Sequence, residues 1–169
     1  MSWYVVLVLL VGLERVAELV VSLRNAKWSL AQGGVESGSG HYPFMVVLHT
    51  GLLAGCLAEA AHRPFVPWLG WTMFVVVLLS QGLRWWCIAV LGRQWNTRVI
   101  VVPGLRLVAG GPYRWMRHPN YVAVVAEGIA LPLVHTAWVT AVVFTVLNIP
   151  LLAVRIRAEE AALTAALVK

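Results

Sequence analysis

The densest group of chemically useful side chains lies in residues 105–121. Gly110 and Gly111 let the backbone approach a ligand closely, and Pro112 and Pro119 mark turns. The donors and rings of the segment are Arg114, Arg117, His118 and Asn120, with Tyr113, Trp115 and Tyr121. Arginines pair with carboxylates or phosphates, and aromatic rings stack on flat heterocycles or face a cation. This mixture suits an anionic, partly aromatic cofactor at a membrane surface, although a basic loop that contacts anionic lipid has the same composition.

A second polar group follows the last apolar run of the chain. Arg155 and Glu159 are four residues apart, with Arg157 and Glu160 beside them. Because positions i and i+4 share one face of a helix, a simple salt bridge between Arg155 and Glu159 is one interpretation. The predicted topology, however, brings this helix to the same side of the membrane as residues 105–121. That convergence favours a site built from both segments.

Ionisable residues also interrupt the apolar runs themselves. The polar residues of the first run are Glu14, Arg15 and Glu18, and those of the third run are Ser80, Gln81 and Arg84. An ionisable residue inside a span is expensive, and it is either paired or functional. The acidic pair is interpreted as the partner of Arg15 or Arg84, as a cluster near the membrane interface, or as a functional group. The stripe in the third run either lines a cavity or forms hydrogen bonds between helices.

Three further histidines and Glu59 lie at sequence positions that point to ordinary structural roles. His49 and Glu59 lie within the second run and are expected in the core or at an interface. His62 and His135 lie at loop edges and are expected to be solvated. No pair of His or Cys residues has the spacing of metal ligands, so no metal site is expected.

Composition places the chain in a membrane. The 169 residues are 60% hydrophobic and 12% charged, whereas soluble domains are roughly 45–50% apolar and about 25% charged. Lipid must therefore solvate part of this surface. The 13 Lys and Arg residues exceed the seven acidic ones, giving a net charge of +6, but they fall mostly between the apolar runs. That placement is typical of basic cytoplasmic loops and argues against nucleic-acid binding.

Cys56 and Cys87 lie inside apolar runs and are interpreted as small core residues.

The apolar runs predict an all-α integral membrane protein with one domain over residues 1–169. A spanning helix needs about 20 mainly apolar residues. About five spans are predicted, at residues 3–23, 44–61, 68–91, 120–134 and 137–154. The last two are joined by so short a link that they must form an antiparallel hairpin. Residues 155–168 are expected to continue as a C-terminal helix.

The segments between the spans differ in character. Glycines in residues 24–41 predict a flexible loop. The connector at residues 92–119 contains a short extended run at residues 98–102. Lys and Arg are concentrated in these two segments and in the C-terminal tail, whereas the opposite side carries only Arg63. The positive-inside rule then predicts an outside N-terminus and a cytoplasmic connector and C-terminus, in a plasma membrane of bacterial type.

Three motifs follow one another in a fixed order in the C-terminal half. They are Gly111-Pro112-Tyr113, then Arg117-His118-Pro119-Asn120-Tyr121, and, after an apolar hairpin, Arg155 with Glu159, Glu160 and Leu163. Together they resemble the isoprenylcysteine carboxyl methyltransferase (ICMT) family over roughly residues 93–163. Members of that family are membrane enzymes that use S-adenosylmethionine. The N-terminal half carries no motif of the family, and the aromatic C-terminal stretch common in the family is missing.

The resemblance implies a set of site residues. The cofactor would be held by Leu105, Arg106, Leu107, Val108, Tyr113, Arg117, His118, Pro119, Asn120 and Tyr121. Arg155 would face the methyl acceptor, and Glu159 would lie between the acceptor and the cofactor. Both are expected to be catalytic, on the cytoplasmic face.

The expected function is therefore methyl transfer from S-adenosylmethionine, with S-adenosylhomocysteine as product. The acceptor is expected to be a carboxylate or an enol or phenol oxygen of a lipophilic molecule, either isoprenylcysteine-like and prenylated or similar to an alkylpyrone or alkylresorcinol. The alternative is an NADPH-dependent membrane reductase of a sterol-like or enone substrate, in which the basic loop binds phosphates.

Overall fold

Five helices and one small β-ribbon make up the part of the chain that the structure describes, residues 2–167 of a computed structural model. The helices are α1 (Ser2–Ala31), α2 (Tyr42–Ala60), α3 (Pro67–Leu91), α4 (Pro119–Leu133) and α5 (Trp138–Leu167). Short 3₁₀ turns occur at Ser39–His41, Gly92–Gln94 and Gly111–Arg114. Strands β1 (Val35–Ser37) and β2 (Val99–Val101) pair in antiparallel fashion. The predicted C-terminal helix is continuous with α5, and its last residue, 168, lies outside the described residues.

Three helical segments are long and apolar enough to cross a membrane. They are Ser39–Ala60, Pro67–Gln94 and Trp138–Ala166. The apolar helix α4 is shorter, with 15 residues. The hydrophobic run of α1 is interrupted by Glu14, Arg15 and Glu18. The all-helical, membrane character is thus confirmed, whereas the number of five spans stays a prediction.

Helix α1 extends well beyond its predicted span, and the predicted flexible loop at residues 24–41 is wrong in its first part. The helix continues to Ala31 because tertiary contacts hold its polar end. Asn25 is buried, and its Nδ2 donates to the carbonyls of Gly92 at 3.1 Å and Trp95 at 2.7 Å. β1 follows and pairs with β2, which confirms the extended run predicted in the connector.

The closing hairpin of α4 and α5 is confirmed. Tyr121, near the start of α4, donates a hydrogen bond to Glu159, near the end of α5, so the two helices are antiparallel. His135, in the link between them, is only 3% exposed. Its ring packs on Tyr4 and Phe65, with centroids 5.1 and 5.9 Å away. The expectation that His135 is solvated is therefore wrong.

The apolar core lies among α1, α2, α3 and the α4–α5 hairpin. Its buried members include Tyr4, Val8, Leu52, Cys56, Val77, Leu131, Val134 and Phe144. The Tyr4 hydroxyl donates to the Leu131 carbonyl at 3.0 Å, which ties α1 to α4. Gly128 lets α5 approach closely, since a Cβ there would overlap the Phe144 ring. This packing fixes the frame from which the polar ends of α4 and α5 project.

Candidate active site

A cavity of about 610 Å³ lies where the connector meets the start of α4 and the end of α5. That volume falls within the roughly 300–1,000 Å³ usual for small-molecule sites. The predicted site residues that line it are Leu105, Leu107, Val108, Tyr113, Arg117, His118, Asn120, Tyr121, Arg155 and Glu159. The cavity therefore brings both motif-bearing segments together, as the topology predicted.

Two of the predicted site residues do not line this cavity. Arg106 offers only its backbone carbonyl to a long hydrogen bond from Gln94, at 3.5 Å. Pro119 is buried in the first turn of α4, where a proline is tolerated because that N–H has no helical partner. Pro119 thus sets the start of the helix that carries Asn120 and Tyr121.

Arg155 is the most constrained charged group at the cavity. Its side chain is almost buried, at 5% exposure. One Nη donates to the Thr97 carbonyl at 2.8 Å, and the other lies 3.1 Å from the Met45 Sδ. The guanidinium also lies over the Tyr121 ring, 5.8 Å from its centroid. A carbonyl, a thioether and a ring leave the positive charge without a carboxylate partner among residues 2–167.

Glu159 therefore does not form the simple helical salt bridge with Arg155. Its Oε2 accepts a hydrogen bond from the Tyr121 hydroxyl at 2.5 Å, and its Oε1 lies 3.7 Å from the His118 Nδ1. The side chain is one-third exposed, at 33%. Glu159 is thus held by Tyr121 at the start of α4, lies near His118 just before that helix, and lines the larger cavity.

Tyr113 is a half-buried ring of the connector motif and lines the larger cavity. Burial raises the pKa of its phenol well above the ordinary value, and the neighbouring Cys87 thiol raises this pKa further. The phenol therefore keeps its proton at neutral pH and acts as a hydrogen-bond donor. Cys87 thus has a structural role as the neighbour of Tyr113, which lines the larger cavity.

Gly111 holds the turn that carries Tyr113. Its φ is +56°, and a Cβ would lie 2.7 Å from Val90 Cγ2. We expect Gly111→Ala to destabilise the fold by about 1–2 kcal/mol, the usual penalty for a side chain in the left-handed region. Thermal unfolding in detergent measures the change. The matched control is Gly110→Ala, where φ is −90° and the nearest atom is 4.0 Å from the new Cβ; equal losses would contradict the assignment.

A second cavity, of about 320 Å³, adjoins the first and runs toward α1 and α2. The two cavities share Trp95, Asn96, Asn120, Tyr121 and Arg155, whereas Glu159 lines only the larger one. The smaller cavity is also lined by exposed apolar residues, including Val16 on α1 and Val46 on α2, at 58% and 45% exposure. Arg155 thus lies at the junction between the larger cavity and a smaller one that opens toward exposed apolar side chains of α1 and α2.

Trp95 and Asn96 belong to both cavities, and sequence reasoning missed them. The Trp95 Nε1, the Asn96 Oδ1 and the Asn120 Oδ1 are buried and have no hydrogen-bond partner in the part of the chain that the structure describes. The available signal was the polar run from Gln94 to Thr97, directly after an apolar helix. The extended run that the sequence did predict, β2, forms one wall of the larger cavity.

Ionisable residues inside α1, α3 and α4 form one network. Glu18 accepts hydrogen bonds from Arg84 and, at 2.6 Å, from Arg15. Arg15 also donates to Gln81 at 3.0 Å and Glu127 at 2.7 Å. Glu18 is thus paired with both arginines, whereas Glu14 accepts hydrogen bonds from Gln81 and Trp85 and lies 3.8 Å from Arg15. Glu127 was missed, although a carboxylate within the fourth apolar run was the available signal.

Comparison with known protein families agrees with the resemblance seen in the sequence motifs. Residues 71–165 match the model of the isoprenylcysteine carboxyl methyltransferase (ICMT) family. That range is more than half of the chain and contains both motif-bearing segments. The chain belongs to this family. ICMT-family membership makes it a member of a group of membrane methyltransferases.

The relatives cover nearly the whole chain. YpbQ of Bacillus subtilis (strain 168), an uncharacterized protein, is 40% identical over 166 residues, which are 96% of this chain and 96% of the relative. An uncharacterized protein of Haemophilus influenzae is 24% identical over 155 residues, covering 89% and 88% of the two chains. The similarity to both extends into the N-terminal half, where no ICMT motif was found.

Proposed function

We propose that the protein transfers a methyl group from S-adenosylmethionine to an oxygen of a lipophilic acceptor. The observation that carries the proposal is the position of Arg155, at the junction of the two cavities and without a carboxylate partner among residues 2–167. A cation in that place can bind an anionic acceptor oxygen beside a cofactor cavity. The ICMT family supplies the reaction class.

The larger cavity fits a zwitterionic adenosine cofactor. Its lining contains carboxylates for a positive centre, Glu159 and Glu160, and a guanidinium for a carboxylate group, that of Arg117. The His118 imidazole adds a hydrogen-bonding group. The unpartnered Asn120 Oδ1 and Trp95 Nε1 are buried polar atoms that need a ligand partner, because an unsatisfied buried polar group costs about 1–3 kcal/mol. Tyr113 and Tyr121 supply aromatic faces. We infer that these residues hold S-adenosylmethionine; Tyr113, Arg117, His118, Asn120 and Tyr121 are among those that the family resemblance implied, whereas Trp95 and Glu160 are additions.

The protein's own groups have three tasks. When bound, the cofactor supplies an electrophilic methyl group on a sulfonium. Arg155 holds the acceptor oxygen through charge-assisted hydrogen bonds and lines it up with the cofactor cavity, since methyl transfer requires a distance of about 3–3.5 Å and a straight approach. Glu159 stabilises the positive charge of the site, or takes the proton of a neutral acceptor. The Tyr121 hydroxyl fixes the rotamer of Glu159.

The two cavities imply two routes of entry. A polar cofactor enters the larger cavity from water, which we propose is the cytoplasm, in keeping with the positive charge of the connector. The acceptor enters the smaller cavity from the bilayer, past Val16 and Val46. A carboxylate or an enol or phenol oxygen on an apolar tail satisfies both the guanidinium and this route. An isoprenylcysteine-like molecule and an alkylpyrone or alkylresorcinol all have that chemistry.

The identity of the cofactor can be tested by measuring how candidate ligands change the melting temperature of the protein. We expect S-adenosylhomocysteine to raise the melting temperature of the purified protein, because a ligand at 100 times its Kd adds about 2.7 kcal/mol to the free energy of unfolding. NADPH, the cofactor of the alternative reductase, should leave the melting temperature unchanged. Stabilisation by NADPH but not by S-adenosylhomocysteine would contradict the proposal.

A further inference from the structure

We propose that His49 and Asn148 bind a second oxygen of the acceptor, so that the enzyme selects amphiphiles whose head group carries two hydrogen-bonding oxygens. This inference rests on the proposed function, since the first oxygen is the one that Arg155 holds. Both residues line the smaller cavity, from α2 and α5. Neither belongs to the family motifs found in the sequence.

His49 presents a hydrogen-bond acceptor to this cavity. Its Nδ1 lies 2.9 Å from the Met45 carbonyl, which can only accept, so Nδ1 carries the proton. In the neutral ring, Nε2 is then an acceptor, and no protein donor to it is found in residues 2–167. The ring is fixed by an edge-to-face contact with Phe144, at 5.3 Å between centroids. The imidazole is thus oriented to accept a hydrogen bond from a hydroxyl.

Asn148 is the complementary group across the cavity. Its side chain is buried, at 3% exposure, and lines the cavity, yet its amide makes no hydrogen bond within the described chain. On the α1 side of the same cavity, the Nε of Arg15 is buried and has no hydrogen-bond partner within residues 2–167. Buried polar groups in folded proteins are nearly always satisfied. Together with the His49 Nε2 and the Asn148 amide, which line the cavity, this atom indicates a ligand with polar atoms, since an apolar tail alone would leave all three unpaired.

The spacing fits two oxygens on one head group. Met45 touches Arg155, and His49 lies four residues further along α2, a rise of about 6 Å. Asn148 precedes Arg155 by seven residues, so the two side chains share one face of α5. Helical side chains lean toward the N-terminus, which brings the Arg155 guanidinium closer to the level of Asn148. A second oxygen about one helical turn from the methylated one reaches both residues.

The acceptor's tail takes a separate direction. Val16 and Leu19 on α1 and Val46 on α2 line the same cavity and are exposed on the lipid-facing surface. A hydrocarbon chain that leaves between α1 and α2 is solvated by lipid and avoids the polar residues. The head group then lies between Arg155 and the pair His49 and Asn148.

Two matched probes test this proposal, a 5-alkylbenzene-1,3-diol and the 3-alkylphenol with the same chain. Binding to the full-length protein saturated with S-adenosylhomocysteine is measured by titration calorimetry, so that no turnover is required. We expect the diol to bind about tenfold more tightly, the ratio that one ordinary net hydrogen bond gives. His49→Phe and Asn148→Leu should each remove most of that preference, and His49→Gln, which keeps an acceptor, should retain part of it. The matched control, His62→Phe, replaces an exposed histidine beyond the end of α2 and should retain the full preference.

The results that would contradict the role of His49 and Asn148 differ from those that would contradict the proposed function. Equal affinities for the two probes, no binding of either, or an unchanged preference in His49→Phe would overturn the role of this pair while S-adenosylhomocysteine binding stands. Equal weakening of diol and phenol in the variants would show a structural role only, and would overturn it as well. Absence of S-adenosylhomocysteine binding would instead refute the proposed function.

Discussion

Glu159→Gln is expected to lower turnover by about 10²–10⁴-fold, the range by which a positioned acid or base accelerates a reaction. The substitution keeps the shape of the side chain and can still accept from Tyr121. It removes the negative charge that faces the cofactor cavity beside Arg155. Binding of S-adenosylhomocysteine should change far less than turnover, because that product carries no sulfonium charge. Single-turnover methylation of an accepted lipid measures the effect.

The neighbouring residue provides a matched control. Glu160 has the same charge and lines the same cavity, but its side chain is 49% exposed and its nearest partners are His118 at 3.4 Å and Arg117 at 3.9 Å. Glu160→Gln should therefore leave most of the turnover. Similar losses in the two variants would mean that the net negative charge of the cavity matters and that the placement of Glu159 does not.

The convergence of Arg155, Glu159 and the connector could be predicted from the sequence because each step is local. The i, i+4 spacing sets the face of the helix, and a link too short for anything but a hairpin places the end of α5 beside the start of α4. The motif order then pointed to the family. None of these steps needs knowledge of contacts distant in the chain.

Trp95, Asn96 and Glu127 could not be found in that way. The wall that contains Trp95 forms because Asn25, far away on α1, binds the carbonyls of Gly92 and Trp95. No periodicity in the sequence records such a contact. The same bonds explain why α1 continues to Ala31 where glycines and polar residues predicted a loop. Local patterns determine the elements, whereas the polar pairs that join distant elements become visible only in the assembled fold.

Glu18→Leu is expected to destabilise the protein more than any other single substitution considered, by about 3–5 kcal/mol, which is typical when one partner of a buried ion pair is removed. Glu18 is 2% exposed and Arg84 is 7% exposed, and Glu18 is the carboxylate bonded to Arg84 within residues 2–167. The change leaves a guanidinium among helices that lipid surrounds. Chemical or thermal unfolding in detergent, followed by circular dichroism, measures the loss.

The double variant Glu18→Leu with Arg84→Met separates charge from packing. Replacing both members of a buried pair by apolar groups of similar volume is often neutral, so the double variant should recover most of the stability lost in Glu18→Leu. Arg15 loses one partner in both variants but keeps Gln81 and Glu127, and that shared loss cancels in the comparison. If Glu18 and Arg84 are coupled through their ion pair, the double variant loses less stability than the sum of the two single losses. A double variant less stable than Glu18→Leu would instead show that the Arg84 side chain stabilises the fold by packing, even without its ion pair.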